Sequence, residues 1–343
     1  MTRIEADPVQ AQTVISALHA ETGQAHIVGI TGPPGCGKSS LVNELTKVFR
    51  LRDKRVAIIA VDPTSPFTGG ALLGDRVRMR DLSGDAGVFV RSMASRGSLG
   101  GLSRSTSAAI RVLDAAGFDI ILVETVGAGQ AEVDIATTAH TTVVLDAPGL
   151  GDDIQSIKAG ILEIADILVV NKADQPGVKR TVKSLEMMLQ LGLETASATS
   201  LDSTHDAHHS FAPLEGGSRN EQNQTTSTVA NWTVPVLQTV AITGQGISEL
   251  ADRIDEHRQF LQVSGQWAIR DWLRSRDEIV GLLRDRFIAE MAAAVPEEDR
   301  RRLITDVTER RIDPYTAAEN LLAAAGYRSA LAEHSPRSGD RRA

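Results

Sequence analysis

The sequence predicts an α/β fold, in which a doubly wound and mostly parallel sheet precedes a helical C-terminal arm. Short apolar runs recur between His26 and Thr243, and the segments between them are long enough for helices. The runs do not alternate with polar residues, which is typical of strands buried on both faces of a parallel sheet. After Gly246 the apolar spacing is helical to the end of the chain. In such a fold the loops at the carboxyl ends of the strands carry the chemistry. The runs are HIVGITG, VAIIAVDP, VFVRSM, DIILVETVG, TVVLDAPG, DILVVNKAD and VPVLQTVAIT.

The chain has 343 residues, a length that predicts about two folded units. One segment, at 196–231, is rich in Ser, Thr, Asn, Gln and Gly and has little to bury, so we interpret it as a flexible surface insertion. Its histidines His205, His208 and His209 could be metal ligands, but a solvated loop is the simpler interpretation because no rigid element would hold them. The predicted boundaries are 1–25 for a helical lead-in, 26–262 for the α/β domain with its insertion, 263–330 for a helical dimerisation segment and 331–343 for a flexible tail.

Apolar residues at a spacing of three and four mark the helical segment, with Arg and Asp on the opposite face. A long amphipathic helix outside the main sheet most often serves a dimer. Asp313 before Pro314 predicts a further helix start, because Asp accepts hydrogen bonds from free amides and Pro suits the first turn. The apolar residues are Trp272, Leu273, Ile279, Val280, Leu282, Leu283, Phe287 and Ile288.

Composition excludes several classes of function. Hydrophobic residues make up 42% and charged residues 23%, as in ordinary globular proteins. Aromatic residues are only 3%, so stacking platforms for single-stranded nucleic acid are not expected, and a net charge of −8 has the wrong sign for binding nucleic-acid backbones. The single cysteine, Cys36, excludes an internal disulfide and any multi-thiolate metal site. No signal peptide or long apolar span is present, so we expect a cytoplasmic protein with no membrane partner.

A glycine-rich stretch after the first predicted strand is the strongest chemical signal. Its glycines allow successive backbone amides to converge on phosphate oxygens, and a helical sequence follows it. Lys38 would place a charge between the β- and γ-phosphates, and the Ser39 hydroxyl could hold Mg²⁺. Cys36 occupies a position where a small side chain suffices, and a redox switch is the alternative. The predicted phosphate-binding residues are Gly32, Pro33, Pro34, Gly35, Cys36, Gly37, Lys38, Ser39 and Ser40.

A second motif, Asn171, Lys172, Ala173 and Asp174, follows the strand run DILVV. A carboxylate at Asp174 can accept from both N1–H and the exocyclic amine of guanine, a pair of donors that adenine lacks. The motif alone could be a polar strand end, but together with a phosphate loop in the same sheet it favours GTP over ATP. The backbone at Ala241, Ile242 and Thr243, which we place at the close of the last strand, would support the base.

Three acids at or near strand ends are candidates for the metal and water network: Asp62, Asp75 and Glu124. Magnesium prefers a few direct carboxylates plus waters, although each acid could instead be a helix cap or a surface charge. Gly127 and Gly129 could form a pivot for a loop that senses the γ-phosphate. The basic run of Arg76, Arg78 and Arg80 could supply charge to the transition state, and a role facing solvent or a partner is equally open.

These motifs, in this order, resemble the MeaB/ArgK family of P-loop GTPases, which are G-protein chaperones of cobalamin-dependent acyl-CoA mutases, above all methylmalonyl-CoA mutase. The likeness runs from about residue 8 to 327. The segment before the phosphate loop is shorter than the family's, and the insertion at 196–231 is not typical of it. The matching strings are GITGPPGCGKSSLVNEL, AVDPTSP, GGALLGDRVRM, VRSMASRGSLGGLS, VETVGAGQAEVD, PGLGDDIQSIKAGILEIADILVVNKAD and DPYTAAENLL.

The resemblance implies a role for each motif. Lys38 and Ser39 would bind phosphate and Mg²⁺, Asp62, Asp75 and Glu124 would form the metal and water network, and the motif at 171–174 would recognise guanine. It also implies a homodimer through the C-terminal helices, and a mutase partner whose adenosylcobalamin delivery is gated and which is protected from inactivation. No cobalamin site is expected on the chain itself. The implied switch residues that face the mutase are Gly127, Gln130, Asp152, Asp153 and Lys158.

Two other functions remain as alternatives to a Mg²⁺-dependent GTPase chaperone. A kinase that uses GTP or ATP and is linked to basic amino-acid transport would need an acceptor pocket, for which the sequence has no motif. A nickel metallochaperone GTPase would need a Cys/His metal motif, which the lone Cys36 cannot provide.

Overall fold

The computed structural model describes residues 8–62, 79–82, 84–94, 104–125, 131–150, 163–199 and 232–327. Several sequence predictions fall outside these residues and stay predictions: the metal candidate Asp75, the side chain of Asp62, and most of the polar insertion. The same holds for the arginines Arg76 and Arg78 and for the switch residues Gly127, Gln130, Asp152, Asp153 and Lys158.

A single parallel sheet organises the first part of the chain, as predicted. Its seven strands lie in the order β3-β2-β4-β1-β5-β6-β7, and every pairing between them is parallel. Each predicted apolar run supplies one strand. The strands are β1 (His26–Thr31), β2 (Val56–Asp62), β3 (Val88–Ala94), β4 (Ile120–Thr125), β5 (Thr141–Asp146), β6 (Ile167–Val170) and β7 (Val236–Gln238).

Helices cover both faces of this sheet, which makes the fold doubly wound. One core joins the sheet to α2 and α6 through residues such as Leu45 and Ile254, and another joins it to α3 and α4 through Leu113 and Ile135. Every residue of β1, β4, β5 and β6 is buried, which explains why these runs show no polar alternation. The helices are α1 (Pro8–Leu18), α2 (Lys38–Leu51), α3 (Arg104–Ala115), α4 (Ala131–Thr138), α5 (Val178–Thr199), α6 (Ile247–Val263), α7 (Gln266–Ala294), α8 (Glu297–Thr308) and α9 (Pro314–Ala324).

Two boundaries differ from the sequence prediction. Helix α5 runs through Thr199, so it takes in the first four residues of the predicted insertion at 196–231. A polar composition alone does not end a helix, and that stretch contains neither Gly nor Pro. Strand β7 ends at Gln238, so Ala241–Thr243 lies in a turn beyond it rather than in the strand. Gly246 ends that turn with a φ of 75°, a backbone conformation that favours glycine.

The chain divides into two compact units, Met1–Asp271 and Trp272–Ala343. In the second unit Asp313 caps α9 as predicted, since its carboxylate accepts from the backbone amides of Tyr315 and Thr316 at 2.9 and 3.1 Å. The hydrogen bond from the Thr316 hydroxyl is the largest of the interactions that lower the pKa of Asp313. Within the residue ranges given above, every helix is too short or too polar to cross a membrane.

A buried carboxylate anchors the segment that leads into β1. Asp114, near the end of α3, is 6% exposed and accepts from the backbone amides of Gly23, Gln24 and Ala25 at 2.5, 3.1 and 2.8 Å. These amides belong to the turn that brings the chain from the lead-in helix to the central strand. A single side chain therefore fixes where β1 begins.

We predict that Asp114→Asn destabilises the protein by about 2 kcal/mol, because the new amide group points N–H donors at backbone N–H donors in a buried place. Urea unfolding followed by circular dichroism measures this. Asp53→Asn is the matched control, since Asp53 is exposed and Asn tolerates its left-handed backbone with φ of 60°. Equal stability of the two variants would contradict the role given to Asp114.

Candidate functional site

The predicted phosphate loop joins β1 to α2 at the carboxyl end of the central strand, between the ends of β4 and β5. Three of its glycines, Gly32, Gly35 and Gly37, have φ of 142°, 81° and 96°. A Cβ atom on Gly32 would lie 2.2 Å from the carbonyl oxygen of Leu145 on β5. Both backbone conformation and space therefore require glycine at the start of this loop.

The side chain of Lys38 folds back onto the same loop. It is 6% exposed, and its ammonium group donates to the carbonyl oxygens of Gly32 and Pro33 at 2.7 and 3.1 Å. The first turn of α2 thus carries a buried positive charge beside a run of backbone amides. Free backbone amides and a positive charge at a helix N-terminus together make a suitable site for a phosphate group.

Two oxygen-bearing side chains meet next to this turn. The Ser39 hydroxyl donates to Oε1 of Glu124 at 2.6 Å, and Glu124, on β4, is only 1% exposed. Behind them the Thr125 hydroxyl donates to the Thr31 hydroxyl at 3.0 Å. The hydrogen bond between Ser39 and Glu124 brings together two of the predicted metal ligands, which lie 85 residues apart in the sequence. A hydroxyl and a carboxylate are the kinds of ligand that Mg²⁺ takes, so the donor set fits this ion.

Asn171 connects the phosphate loop to the end of β7. Its side chain is buried, and its Nδ2 donates to the carbonyl oxygen of Cys36 at 2.8 Å. Its Oδ1 accepts from the Thr239 hydroxyl and from the backbone amide of Ala241, both at 3.1 Å. A Cβ atom on Gly37 would lie 2.4 Å from Nδ2 of Asn171, so the close packing needs glycine there. We call this set of contacts the Asn171 bridge.

The rest of the predicted guanine motif forms an exposed turn beside the bridge. Lys172 has a φ of 57°, and the amide of Ala173 donates to the carbonyl oxygen of Thr239 at 3.0 Å. The side chains of Asp174 and Ile242 are exposed. The structure therefore brings the motif at 171–174 and the turn at 241–243 together at one edge of the sheet.

Thr239 is part of this arrangement and was not predicted from the sequence. It is fully buried, and both its hydroxyl and its carbonyl oxygen are used by the motif at 171–174. The available signal was a hydroxyl residue inside the otherwise apolar run VPVLQTVAIT. A buried hydroxyl requires a hydrogen-bond partner, and here the partner is Asn171.

Cys36 is fully buried within the loop. Burial raises the pKa of its thiol, against the opposing effect of the Lys38 charge. The neutral thiol is a weak nucleophile, so this environment favours the small-residue interpretation over a redox switch.

A strand-to-helix turn that runs from Gly32 to Gly37 and is followed by Lys38 and Ser39, on a parallel sheet with helices on both faces, defines a P-loop nucleoside triphosphatase. The family model described as "Methylmalonyl Co-A mutase-associated GTPase MeaB" matches residues 1–296. The chain therefore belongs to the MeaB family and is a GTPase.

Comparison with individual proteins agrees with this membership. A "Putative GTPase" of Pyrococcus horikoshii is 46% identical over 323 residues, which cover 94% of this chain and 91% of that protein. The "Methylmalonic aciduria type A homolog, mitochondrial" of Mus musculus is 44% identical over 147 residues, 43% of this chain and 35% of that protein. The crystal structure of an LAO/AO transport system kinase shares the fold, with a TM-score of 0.62 at 22% identity over 91% of this chain and 85% of that one.

We predict that Asn171→Ala weakens GTP binding about tenfold, because the buried Thr239 hydroxyl and two backbone groups lose their partner and the loop loses its support. Isothermal titration with GTP and Mg²⁺ measures the change. Gln175→Ala, an exposed amide at the end of the same turn, should bind as the parent does. Unchanged affinity in the Asn171 variant would show that the bridge does not support the site.

Proposed function

We propose that the chain is a Mg²⁺-dependent GTPase that acts as a chaperone of a cobalamin-dependent acyl-CoA mutase, with methylmalonyl-CoA mutase as its partner. The observation that carries this proposal is the MeaB family match over residues 1–296, whose description names that mutase. The name of the Mus musculus relative, which refers to methylmalonic aciduria, points to the same metabolism.

Phosphate binding would fall to the loop and to Lys38. The ammonium group already lies among the loop's own carbonyl oxygens, within 3.1 Å of two of them. It would exchange these acceptors for oxygens of the β- and γ-phosphates, while the loop amides of residues 35–40 hold the rest of the triphosphate. The charge on Lys38 would then stabilise the negative charge that grows on the leaving phosphate.

The Ser39 hydroxyl and the Glu124 carboxylate would hold Mg²⁺, with Asp62 and Asp75 completing the metal and water network. The 2.6 Å contact between Ser39 and Glu124 supports this pairing. A bound Mg²⁺ would supply charge that neutralises the β- and γ-phosphates. One of the acids would orient the attacking water, so hydrolysis needs no covalent intermediate on the chain.

Guanine would be recognised by Asp174, whose exposed carboxylate can accept from N1–H and the exocyclic amine of the base. The backbone at 241–243 would support the base from the other side, and Lys172 would pack against it. The Asn171 bridge supports these assignments, because its hydrogen bonds connect the turn at 241–243 to the phosphate loop.

Replacement of Asp174 by Asn tests the assignment of the base. We predict that Asp174→Asn lowers GTP affinity about 100-fold, since the hydrogen bond from the exocyclic amine is lost and the remaining bond from N1–H no longer has a charged acceptor. The same variant should gain affinity for xanthosine triphosphate, because the amide can donate to the carbonyl group that replaces the amine of guanine. Titration with both nucleotides measures the exchange. Glu186→Gln, an exposed acid on α5, is the control and should keep its preference for GTP.

Coupling to the mutase would depend on the nucleotide. If GTP and GDP states bind the partner with different free energies, the partner must change the affinity for the two nucleotides by the same factor. The chaperone would then gate adenosylcobalamin delivery and protect the mutase from inactivation. Gly127, Gln130, Asp152, Asp153 and Lys158 remain the predicted residues of this contact.

We predict that purified methylmalonyl-CoA mutase changes the ratio of GTP-analogue to GDP affinity at least about fivefold. Equilibrium titration of each nucleotide with and without the mutase measures this, and bovine serum albumin at equal mass is the control. An unchanged ratio, with GTP binding itself intact, would contradict the mutase partnership. Transfer of the γ-phosphate to an acceptor other than water would instead support the kinase alternative.

A homodimer is the second part of the proposal. In the second unit the apolar stripe of α7 is largely solvent-exposed, with Trp272 at 62% and Leu283 at 63%. Contiguous apolar surface of this kind is usually covered by a partner. A second copy of the chain, presenting the same stripe, would cover it symmetrically.

A further inference from the structure

Three buried histidines lie at the amino-terminal edge of the sheet, opposite the nucleotide site. His26 begins β1, His140 immediately precedes β5, and His257 lies on α6. Their side chains are 0%, 2% and 0% exposed. None of them belongs to the nucleotide chemistry described above. Within the described part of the chain, no group of three or more His, Cys, Asp or Glu side chains is arranged to hold a metal ion.

One hydroxyl group joins two of these histidines. The Thr141 Oγ1 atom lies 2.7 Å from Nε2 of His26 and 2.8 Å from Nδ1 of His257. A hydroxyl has a single proton, so it donates to one ring and accepts from the other. Which ring receives the hydroxyl proton depends on where the protons of the two rings lie, and a neighbouring charge decides that.

Asp166, which immediately precedes β6, sets the direction of these hydrogen bonds. Its Oδ1 lies 3.3 Å from Nε2 of His257, within ion-pair range although outside ideal hydrogen-bond geometry. A carboxylate only accepts, so the ring proton of His257 is on Nε2 and its Nδ1 accepts from Thr141. Thr141 in turn accepts from Nε2–H of His26. This leaves Nδ1 of His26 as a buried lone pair with no hydrogen-bond partner among the described residues.

His140 has the same tautomer for a separate reason. Its Nδ1 accepts from the backbone amide of Ile27 at 3.1 Å, so its proton is on Nε2, which lies 2.9 Å from Oδ1 of Asp271. All three histidines are thus neutral rings protonated at Nε2. A second proton would require breaking an existing hydrogen bond at His140 or His257.

The same groups hold the first turn of α7. Trp267 stacks on the His140 ring at 3.8 Å between centroids, and Arg270 binds both oxygens of Asp166 at 2.8 and 2.9 Å. Arg270 also donates to the carbonyl oxygen of His140 at 2.5 Å. The first turn of α7 therefore packs against the histidines.

Protonation of these rings would place positive charge beside positive charge. His26 faces His140, His257, Arg258 and Arg270, and the carboxylates of Asp166 and Asp271 belong to the other two rings. Burial lowers the pKa of His26 well below its ordinary value. Burial also lowers the pKa of His257 to about 4, with Arg270 acting in the same direction and Asp166 opposing it.

The sign of the pH effect follows from these shifts. The unfolded or released rings would bind protons at their ordinary pKa of 6.5. In the folded protein the pKa of His257 is lowered to about 4. The contribution of the network is therefore complete above pH 6.5 and is lost as the pH falls towards 4.

We propose that His26, Thr141, His140 and His257 form a pH-operated latch that holds the first turn of α7 on the sheet in neutral solution and releases it on acidification. The latch depends on the single direction of hydrogen bonding through Thr141. A proton on Nδ1 of His257 removes the acceptor for that hydroxyl, and a proton on Nδ1 of His26 adds a buried charge next to Arg258 and Arg270. Trp267 and Arg270 then lose the surface against which they pack.

The test is hydrogen exchange of the full-length chain, with protection followed from pH 7.5 to 4.5 at the amides of residues 270–273, which bond to the carbonyl oxygens of the first turn of α7, and corrected for intrinsic rates. We expect protection to fall at least about tenfold below pH 6 in the parent. In the double variant His26→Gln, His257→Asn it should fall much less, because Gln can donate to Thr141 and Asn can accept from it without titrating. His19→Gln, at an exposed histidine, should behave as the parent does. Constant protection in the parent, or an equal fall in the double variant, would overturn the latch.

A second measurement serves if the double variant does not fold. Nitrogen-15 spectra of histidine in the parent protein report tautomer and titration of each ring. We expect Nε2–H tautomers for the buried rings at pH 7, and no titration of His26 or His257 near their ordinary pKa. An Nδ1–H tautomer at His257, or ordinary titration while α7 stays protected, would refute the proposal.

Discussion

The nucleotide site depends on the close approach of the phosphate loop to the ends of β5 and β6. At Gly32 a single added carbon would collide with the backbone of Leu145, and at Gly37 it would collide with Asn171. The position of the loop therefore depends both on its own glycines and on the strands against which they pack. Asn171 converts this contact into a hydrogen-bonded connection with the turn after β7. The glycine-rich loop and the turn at 241–243 are thereby connected through one side chain.

The central part of the fold was predictable because β1, β4, β5 and β6 are buried on both faces and so leave continuous apolar runs. The phosphate loop and the motif at Asn171 were predictable for a related reason, since their spacing is local in the sequence. Thr239 was not, because its role depends on a contact with a residue 68 positions away. The histidine latch is harder still, since Thr141 lies 115 and 116 residues from its two partners. Residues 196–199 were predicted as part of a loop from their polar composition, but helix α5 continues through them.

The strands β5 and β6 connect two chemically different edges of the sheet. At their amino ends Thr141 and Asp166 take part in the histidine network, and just beyond the carboxyl end of β6 Asn171 takes part in the nucleotide site. Both strands are fully buried between these edges, and close-packed interiors are hard to compress.

Lys38 finds its hydrogen-bond acceptors within its own loop, which matters for the release of a nucleotide. Its ammonium group has acceptors in the backbone of its own loop, at 2.7 and 3.1 Å. When a nucleotide departs, no buried cation is left without compensation, which would otherwise cost several kcal/mol, on the order of the penalty for an isolated buried ion. The backbone of the loop therefore balances part of the Lys38 charge by itself.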